Sequence, residues 1–258
     1  GTLLGTVRGA AWAGGRMGTH LYHSRLGKVA WFVRRFGAAE LFLKPLRCAF
    51  APLIIPCLAR AEFVFEDKTL PLFYHRYNMT WATERAVEVP IAREFLERFA
   101  GKRVLEVGNV TPHYLDTAHT VLDKYERGHG IINEDIADYS PTERFDLILS
   151  VSTFEHIGYD DEANGESGEK VSQAITTCRG LLTAGGQLVL TLPLGYNRAL
   201  DRMIADGQLG CDRATFLKRT GRSAWQAVDA EAALACEYRR PFPYANAVMI
   251  AQFGGLPE

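Results

Sequence analysis

The sequence lacks the features of disulfide-rich, zinc-binding and nucleic-acid-binding proteins. No two of its cysteines have Cys-x-x-Cys spacing, and their odd number in a chain of 258 residues argues against a disulfide framework and a zinc site. The formal net charge is only −1, which argues against a general nucleic-acid binder. We therefore expect a cytoplasmic protein with reduced thiols at Cys48, Cys57, Cys178, Cys211 and Cys236.

A long uninterrupted apolar run is also absent. The most apolar stretch extends from Leu41 to Leu58, whereas a spanning helix needs about 20 mostly apolar residues without charges. Charged residues and prolines interrupt this stretch at Lys44, Pro45, Arg47, Pro52 and Pro56. The sequence therefore predicts that the stretch does not cross a membrane.

The charges are unevenly distributed along the chain. Residues 1–61 contain nine basic side chains and one acid, Glu40, so this segment carries +8 and the remainder −9. Such a split predicts a basic extension with its own partner, and apolar spacing within it predicts a helix from Leu26 to Leu43. Three roles stay open: contact of residues 1–61 with an anionic membrane surface, packing on the core or a second subunit in a homo-oligomer, and binding of an acidic partner.

The extension, taken as residues 1–62, leads into a predicted hairpin and helix in residues 63–102. Phe63 to Phe73 has polar turn residues between two apolar arms, which is typical of a hairpin. An aromatic segment follows, and Thr83 is the expected N-cap of a helix that reaches Ala100 and that Pro90 is expected to kink or divide.

Residues 103–258 are the predicted core. It contains four apolar runs in succession: Arg103–Asn109, Thr120–Asp123, Gly130–Ile136 and Phe145–Ile157. They end in polar residues beside loops, and their continuous hydrophobicity predicts strands covered on both faces, as in a parallel α/β sheet. Ligands of such sheets bind beyond the carboxyl ends of the strands. The side chains expected to converge there are Glu106, Asn109, Asp123, Asp135 and Ser152.

In their order and spacing these runs resemble the core of class I S-adenosylmethionine-dependent methyltransferases, from about Arg103 to Asn197. The acid-x-Gly motif of that family is represented by Glu106 and Gly108, and the acid after the second strand by Asp123. The resemblance implies a Rossmann-like, mostly parallel sheet whose last strand is antiparallel. It also implies S-adenosylmethionine as cofactor, bound through Glu106, Gly108, Asn109, Asp123, Lys124, Asp135, Ile136 and Ser152.

Within this set, Asp123 is the predicted ligand of the ribose hydroxyls, with Glu126 as a nearby rival. Asp135 is the predicted contact of the adenine amino group, and backbone near Ile136 would contact the ring edge; Glu134 and Asp138 are rivals for Asp135. Glu106 is expected to organise the first loop by hydrogen bonding.

The first loop departs from the family pattern. Val110 and Pro112 occupy positions where the family usually has its second and third glycines, and Asn109 is a candidate side-chain contact in this altered loop. Only 11 residues, Gly108 to Ala118, precede the second run, which is too few for a loop and a long crossover helix. A catalytically inactive binding module, docked to a membrane or a partner through its basic N-terminus, therefore stays open as the alternative function.

The predicted catalytic pair is Glu155 and His156, at the end of the fourth run. Methyl transfer to a hydroxyl requires a base if the hydroxyl is not ionised, and histidine has a suitable ordinary pKa. A structural role for His156 is the competing interpretation. The metal site that some relatives build with such a pair looks incomplete here, so we predict no metal.

The acceptor is predicted to be a glycan or a small biosynthetic metabolite, methylated at a hydroxyl or an amine, because the sequence carries no nucleic-acid signature.

Downstream, the sequence predicts a helix from Glu169 to Leu182, a fifth strand from Gln187 to Pro193 and final strands at Ala232–Tyr238 and Ala245–Phe253, with an acceptor-side helix or cover in residues 198–230. The candidate acceptor contacts are Tyr77, Asn78, Arg85, Tyr196 and Asn197.

Overall fold

A computed structural model describes Val29, Val33 and residues 38–58, 61–159 and 168–254. Most of the predicted helix from Leu26 to Leu43 lies outside these residues, and so do most of the basic side chains of residues 1–61. The first described helix, α1 (Glu40–Leu58), runs through three prolines. Among the described residues it is the one helix that is long and apolar enough, by length and composition alone, to cross a membrane, although its charges and prolines predicted otherwise.

The predicted hairpin and the helix after it are present. Strands β1 (Glu62–Phe65) and β2 (Lys68–Pro71) pair antiparallel, and a short 3-10 helix at Tyr77–Ala82 precedes α2 (Arg85–Arg98). The N-cap of α2 is Glu84 rather than Thr83, and the helix continues through Pro90 without a break. Phe63 and Phe65 pack with Val87, Ile91 and Phe95 against one face of the central sheet.

The central sheet has eight strands in the order β5-β4-β3-β6-β7-β10-β8-β9. The first five strands in this order are parallel to one another, and β10 lies antiparallel between β7 and β8. A mostly parallel sheet whose last strand is antiparallel is the predicted Rossmann-like fold class, which is confirmed. The bounds are β3 (Val104–Val107), β4 (Thr120–Leu122), β5 (Ile131–Ile132), β6 (Phe145–Val151), β7 (Leu182–Pro193), β8 (Arg213–Gly221), β9 (Ala224–Val228) and β10 (Ala247–Gly254).

The register brings the ends of the parallel strands to one edge. Val107 of β3 pairs with Leu122 of β4, and Leu122 pairs with Ile132 of β5. The polar residues after these strands therefore lie side by side, as the sequence predicted. Helix α3 (Gly168–Gly180) covers the face of the sheet opposite α2 and contributes Val171 and Cys178 to the core there.

The C-terminal prediction is wrong at two places, residues 232–238 and the part of residues 198–230 that forms β8 and β9. Ala232–Tyr238 is not a strand, because most of its first half belongs to helix α5 (Ala230–Leu234), which follows α4 (Arg198–Ala205). Asp229 caps α5 by accepting the backbone N–H of Ala232 at 2.7 Å, and alanine and glutamate favour helix over strand. The strand beside β10 is β8, which lies within the stretch expected to form a helix or cover.

Candidate active site

Two cavities lie side by side at the carboxyl ends of the parallel strands. The first has a volume of about 370 Å³, with Val107, Leu122, Ile136 and Ile157 on its apolar side and Asp123, Glu126, Glu134 and Asp135 among its acidic lining residues. Apolar walls with a few placed polar groups are typical of small-molecule and cofactor sites. We call it the first cavity.

Gly108 is required by the geometry of the first cavity. Its φ is +90°, and a Cβ atom there would lie 2.1 Å from Oγ1 of Thr153, so the position admits no side chain without a shift. By contrast, Val110 has a φ of −118°, which any residue adopts. This loop therefore does not need the second glycine that the family pattern predicts at Val110.

Glu106 organises the loop after β3, as the sequence predicted. Its fully buried carboxylate accepts the backbone N–H groups of Val110 at 3.1 Å and Thr111 at 2.7 Å, together with the Thr111 hydroxyl. Nε2 of His119 lies 2.7 Å from the same carboxylate. The loop contains only a short 3-10 helix at Thr111–His113, so the predicted absence of a long crossover helix is confirmed.

Asp123 follows β4 and lines the first cavity. Its Oδ2 accepts the backbone N–H of Asn109 at 3.0 Å, and its Oδ1 accepts those of Tyr125 and Glu126 at 2.8 and 2.7 Å. The side chain of Asn109 donates to Glu126 at 2.9 Å rather than pointing alone into the cavity. Because a carboxylate can accept about four hydrogen bonds, the fixed Asp123 retains capacity for a ligand.

Asp135 and Ile136 also line the first cavity, as does Lys124. Oδ2 of Asp135 lies 3.1 Å from Nζ of Lys124 and 3.4 Å from Nζ of Lys170. Although burial alone would raise it, the N–H of Ala137 and the ammonium group of Lys124 hold the pKa of Asp135 below its usual value. Any contact of Asp135 with an adenine amino group would share the carboxylate with these two lysines.

The second cavity has a volume of about 240 Å³ and shares His156 with the first. Its lining comes from α1, the segment before the sheet and the C-terminal loops, so it combines residues far apart in the sequence. The lining residues are Lys44, Asn78, Glu84, Arg85, Ser152, Glu155, His156, Pro193, Tyr196, Tyr238 and Tyr244.

A buried polar cluster supports the floor of the second cavity. Oε2 of Glu88 accepts a hydrogen bond from Nη1 of Arg85 at 2.8 Å, and Oε1 accepts those of the Ser152 and Thr191 hydroxyls at 2.6 and 2.8 Å. Glu88 itself is fully buried. These hydrogen bonds fix the carboxylate of Glu88. The carboxylate in turn holds the guanidinium of Arg85 beside the cavity and compensates its charge.

Glu155 is the most unusual group in the second cavity. It is 2% exposed, and its Oε2 atom has no hydrogen-bond partner among the described residues. Burial raises the pKa of Glu155 to about 7, although His156 acts in the opposite direction. Burial, reinforced by the charge of Glu88, also raises the pKa of Glu84. A carboxylate with a pKa near neutrality and an oxygen without a hydrogen-bond partner is suited to accept a proton.

His156 stands where the two cavities join. Its Nε2 atom is 3.5 Å from Oε1 of Glu155, and its side chain is 42% exposed. The ring packs edge-to-face on Tyr196 at 4.9 Å between centroids, and Tyr196 packs on Tyr238 at 5.4 Å. This aromatic row forms one wall of the second cavity.

Five predicted site residues lie elsewhere than expected, and two of them, Glu106 and Asn109, bond within the loop region after β3 and are not among the described lining residues of the first cavity. Ser152, predicted in the cofactor site, lines the second cavity, where it bonds to Glu88. Asn197, predicted to contact the acceptor, is 1% exposed; it caps α4 through the N–H groups of Ala199 and Leu200 and donates to the backbone oxygen of Glu155 at 3.0 Å. Tyr77 is not among the described lining residues of either cavity and stacks on His113 at 4.8 Å.

Five lining or supporting residues were not predicted from the sequence: Lys44, Glu84, Glu88, Tyr238 and Tyr244. One signal could have identified Glu88, because it interrupts the apolar run from Ala86 to Ala92, where a charge has no solvated helix face. No local sequence pattern marks the other four residues. Among the described residues, no group of three or more His, Cys, Asp and Glu side chains could hold a metal ion.

Solved structures of methyltransferases are among those to which the chain is similar. The N-methyltransferase NodS from Bradyrhizobium japonicum, in complex with S-adenosyl-L-homocysteine, is 17% identical, with a TM-score of 0.40 over 68% of this chain and 92% of that one. The glycopeptide N-methyltransferase MtfA, complexed with S-adenosylmethionine, is 13% identical, with a TM-score of 0.38 over 65% and 94%.

A possible histamine N-methyltransferase from Thermotoga maritima is 14% identical, with a TM-score of 0.35 over 63% of this chain and 92% of that one. No family model matches the chain, and no curated protein matches it either. With TM-scores under 0.5, these similarities say nothing about the activity of this chain. Its activity is inferred from its own strand order and its two cavities.

Proposed function

We propose that this protein is an S-adenosylmethionine-dependent methyltransferase that methylates a hydroxyl, or an amine, of a glycan or small metabolite. The observation that carries the proposal is the junction of the two cavities at His156, with Glu155, whose pKa is raised by burial, among the lining residues of the second cavity. The first cavity would hold the cofactor, and the second would hold the acceptor.

The residues of the first cavity fit this cofactor. When bound, S-adenosylmethionine supplies an electrophilic methyl group on a positively charged sulfonium. The apolar walls suit the adenine ring, and Asp123 and Glu126 offer acceptors to ribose hydroxyls, since carboxylates form the stronger kind of hydrogen bond. The acidic lining also suits a cationic ligand, and Gly108 leaves space that a side chain would fill.

The second cavity supplies the proton acceptor. The carboxylate of Glu155 would accept the proton that the hydroxyl loses when it takes the methyl group and S-adenosylhomocysteine leaves, so that positive charge does not build up on the oxygen. His156, which lies against Glu155 and is partly exposed, would take that proton onward to solvent. Arg85, Asn78 and Tyr196 would orient the acceptor.

Calorimetric titration with S-adenosylmethionine and S-adenosylhomocysteine tests the cofactor. We expect binding by the wild-type chain and a loss of roughly 10-fold to 100-fold in affinity for Asp123→Ala, which removes a charged hydrogen-bonding group. Asp138→Ala is the matched control, because Asp138 is exposed and does not line the first cavity. Folded wild-type protein that binds neither compound would disprove the proposal.

Transfer itself can be followed with a labelled methyl group. Pools of hydroxylated sugars and of primary amines should be compared as acceptors, with production of S-adenosylhomocysteine as the readout. Glu155→Gln should retain cofactor binding and lose transfer to hydroxyls. The conformation of Val110 accounts for one of the two missing glycines, so the loop after β3 supports the inactive binding module less than the sequence did.

A further inference from the structure

Helix α1 exposes an apolar stripe to its surroundings. Phe42, Leu46, Phe50 and Leu53 follow one another at helical spacing and are 78%, 53%, 48% and 70% exposed. We call these four side chains the outer face. Residues spaced by three or four positions lie on one side of a helix, so the outer face is continuous along most of α1.

The polar groups of α1 lie on the opposite side, toward the protein. Arg47 pairs with Glu40 at 2.8 Å, and Lys44 donates to Asn78 at 3.4 Å and lines the second cavity. Ala51, on the same side, is fully buried. A surface helix in water normally shows the reverse arrangement, with its apolar side toward the core. The described residues leave this apolar side of α1 uncovered, which is typical of a surface that meets an apolar partner.

The contacts of α1 indicate that it lies along the protein instead of projecting away from it. Sγ of Cys48 is 3.9 Å from the backbone oxygen of Arg76, and the N–H of Ala61, next to β1, donates to the backbone oxygen of Leu58. The ten residue steps from Cys48 to Leu58 cover only about 15 Å of helix. With both points held at the protein surface, α1 has too little free length to span a bilayer.

The charge of the N-terminal segment identifies the partner. Residues 1–61 carry +8, and of their nine basic side chains only Lys44 and Arg47 belong to α1. Two copies of such a segment would repel each other, whereas an anionic lipid surface attracts basic residues next to an apolar helix face. We propose that the outer face of α1 seats this protein on the surface of an anionic lipid bilayer.

This arrangement would bring the second cavity close to the membrane. Lys44 and the outer face lie on opposite sides of one helix, whose diameter with side chains is about 10 Å. An acceptor at the headgroup level would then need to rise by only about that distance to reach the side of the second cavity that Lys44 lines. The docking proposal does not depend on methyl transfer.

Vesicle flotation with the full chain tests the proposal. The probe vesicles are phosphatidylcholine alone and phosphatidylcholine mixed with phosphatidylglycerol. We expect wild type to float with the mixed vesicles at low salt, and the combined variant Phe42→Gln, Leu46→Gln and Leu53→Gln to bind roughly a hundredfold more weakly. Val64→Gln is the matched control, since Val64 is a 52% exposed apolar side chain on the hairpin and should not affect flotation.

Two results would overturn the proposal. One is equal flotation of the triple variant and wild type, which would assign any binding to the basic residues alone. The other is a wild-type chain that does not float but is dimeric by light scattering and becomes monomeric in the triple variant, which would make the outer face a contact between two copies. Far-ultraviolet circular dichroism on each variant establishes that α1 and the sheet are folded.

Discussion

The hydroxyl of Ser152 donates to the carboxylate of Glu88 at 2.6 Å, across 64 positions of sequence. Glu88 lies in α2, before the sheet begins, whereas Ser152 follows β6 with a φ of +42°. Thr191 of β7 donates to the same carboxylate oxygen. This carboxylate therefore joins α2 to the ends of two central strands and fixes the position of Arg85.

The first prediction concerns the stability that depends on Glu88. Glu88→Ala leaves Arg85 buried without its charge partner, so we expect the free energy of unfolding to fall by about 3–5 kcal/mol. Glu97→Ala, at an exposed position of the same helix, should change it by less than about 0.5 kcal/mol. Urea unfolding measures both. Equal small effects would show that the cluster around Glu88 is not coupled to Arg85.

The second prediction concerns Gly108. Gly108→Ala places a Cβ atom 2.1 Å from Oγ1 of Thr153, so we expect loss of cofactor binding and a destabilisation about 1–3 kcal/mol greater than that of Gly101→Ala. Gly101 is the matched control because its φ is +75° and nothing lies within 4 Å of its Cβ position. Calorimetry and urea unfolding give the two readouts. Normal cofactor affinity in Gly108→Ala would contradict the assignment of the first cavity.

The third prediction is the pH dependence of transfer. Since burial raises the pKa of Glu155 to about 7, the deprotonated base becomes populated as pH rises through 7, and kcat should rise with it. Glu155→Gln should have a flat, low profile with unchanged affinity for the cofactor. Stopped assays across the pH range measure kcat, and a Glu155→Gln profile that still rises through pH 7 would assign the titration to another group.

The fourth prediction follows from the same carboxylate and concerns stability. The pKa of Glu155 is higher in the folded chain than its ordinary value of 4.5, so the folded state binds the proton more tightly. The free energy of unfolding therefore falls as pH rises from about 4.5 to 7, by on the order of 3 kcal/mol from this group. Glu155→Gln should be the more stable protein at pH 8 by a similar amount, and Glu97→Gln should follow wild type. Urea unfolding below pH 4.5 and above pH 7 measures this change in the free energy of unfolding.

The fifth prediction separates the capping role of Asn197 from its hydrogen bond to the backbone of Glu155. Asn197→Ala removes the cap of α4 and the donor to the Glu155 backbone, so both stability, by about 1 kcal/mol, and kcat should fall. Asn197→Ser retains a capping hydroxyl but is too short to reach Glu155, so kcat alone should fall. If Asn197→Ser has wild-type turnover, Asn197 only caps the helix.

Local pattern was enough to predict the fold at the parallel strands. Each of the first four strands is a short apolar run that ends in a polar residue or glycine, and burial on both faces imposes that composition wherever the chain occurs in the sheet. The same reasoning failed at Ala232–Tyr238, where half of the apolar residues are alanines, which favour a helix over a strand. There the capping bond of Asp229 is the deciding local signal.

The sequence by itself determined the parallel strands and five of the residues that line the first cavity, Gly108, Asp123, Lys124, Asp135 and Ile136, because these follow adjacent strands and a parallel register carries them to one edge. Only the tertiary structure decided the second cavity. It joins Lys44 of α1, Arg85 of α2 and Tyr244 before β10, and no local period relates residues so distant in the chain. The raised pKa of Glu155 has the same origin, since burial by distant segments excludes water from a carboxylate that carries no mark of it in the sequence.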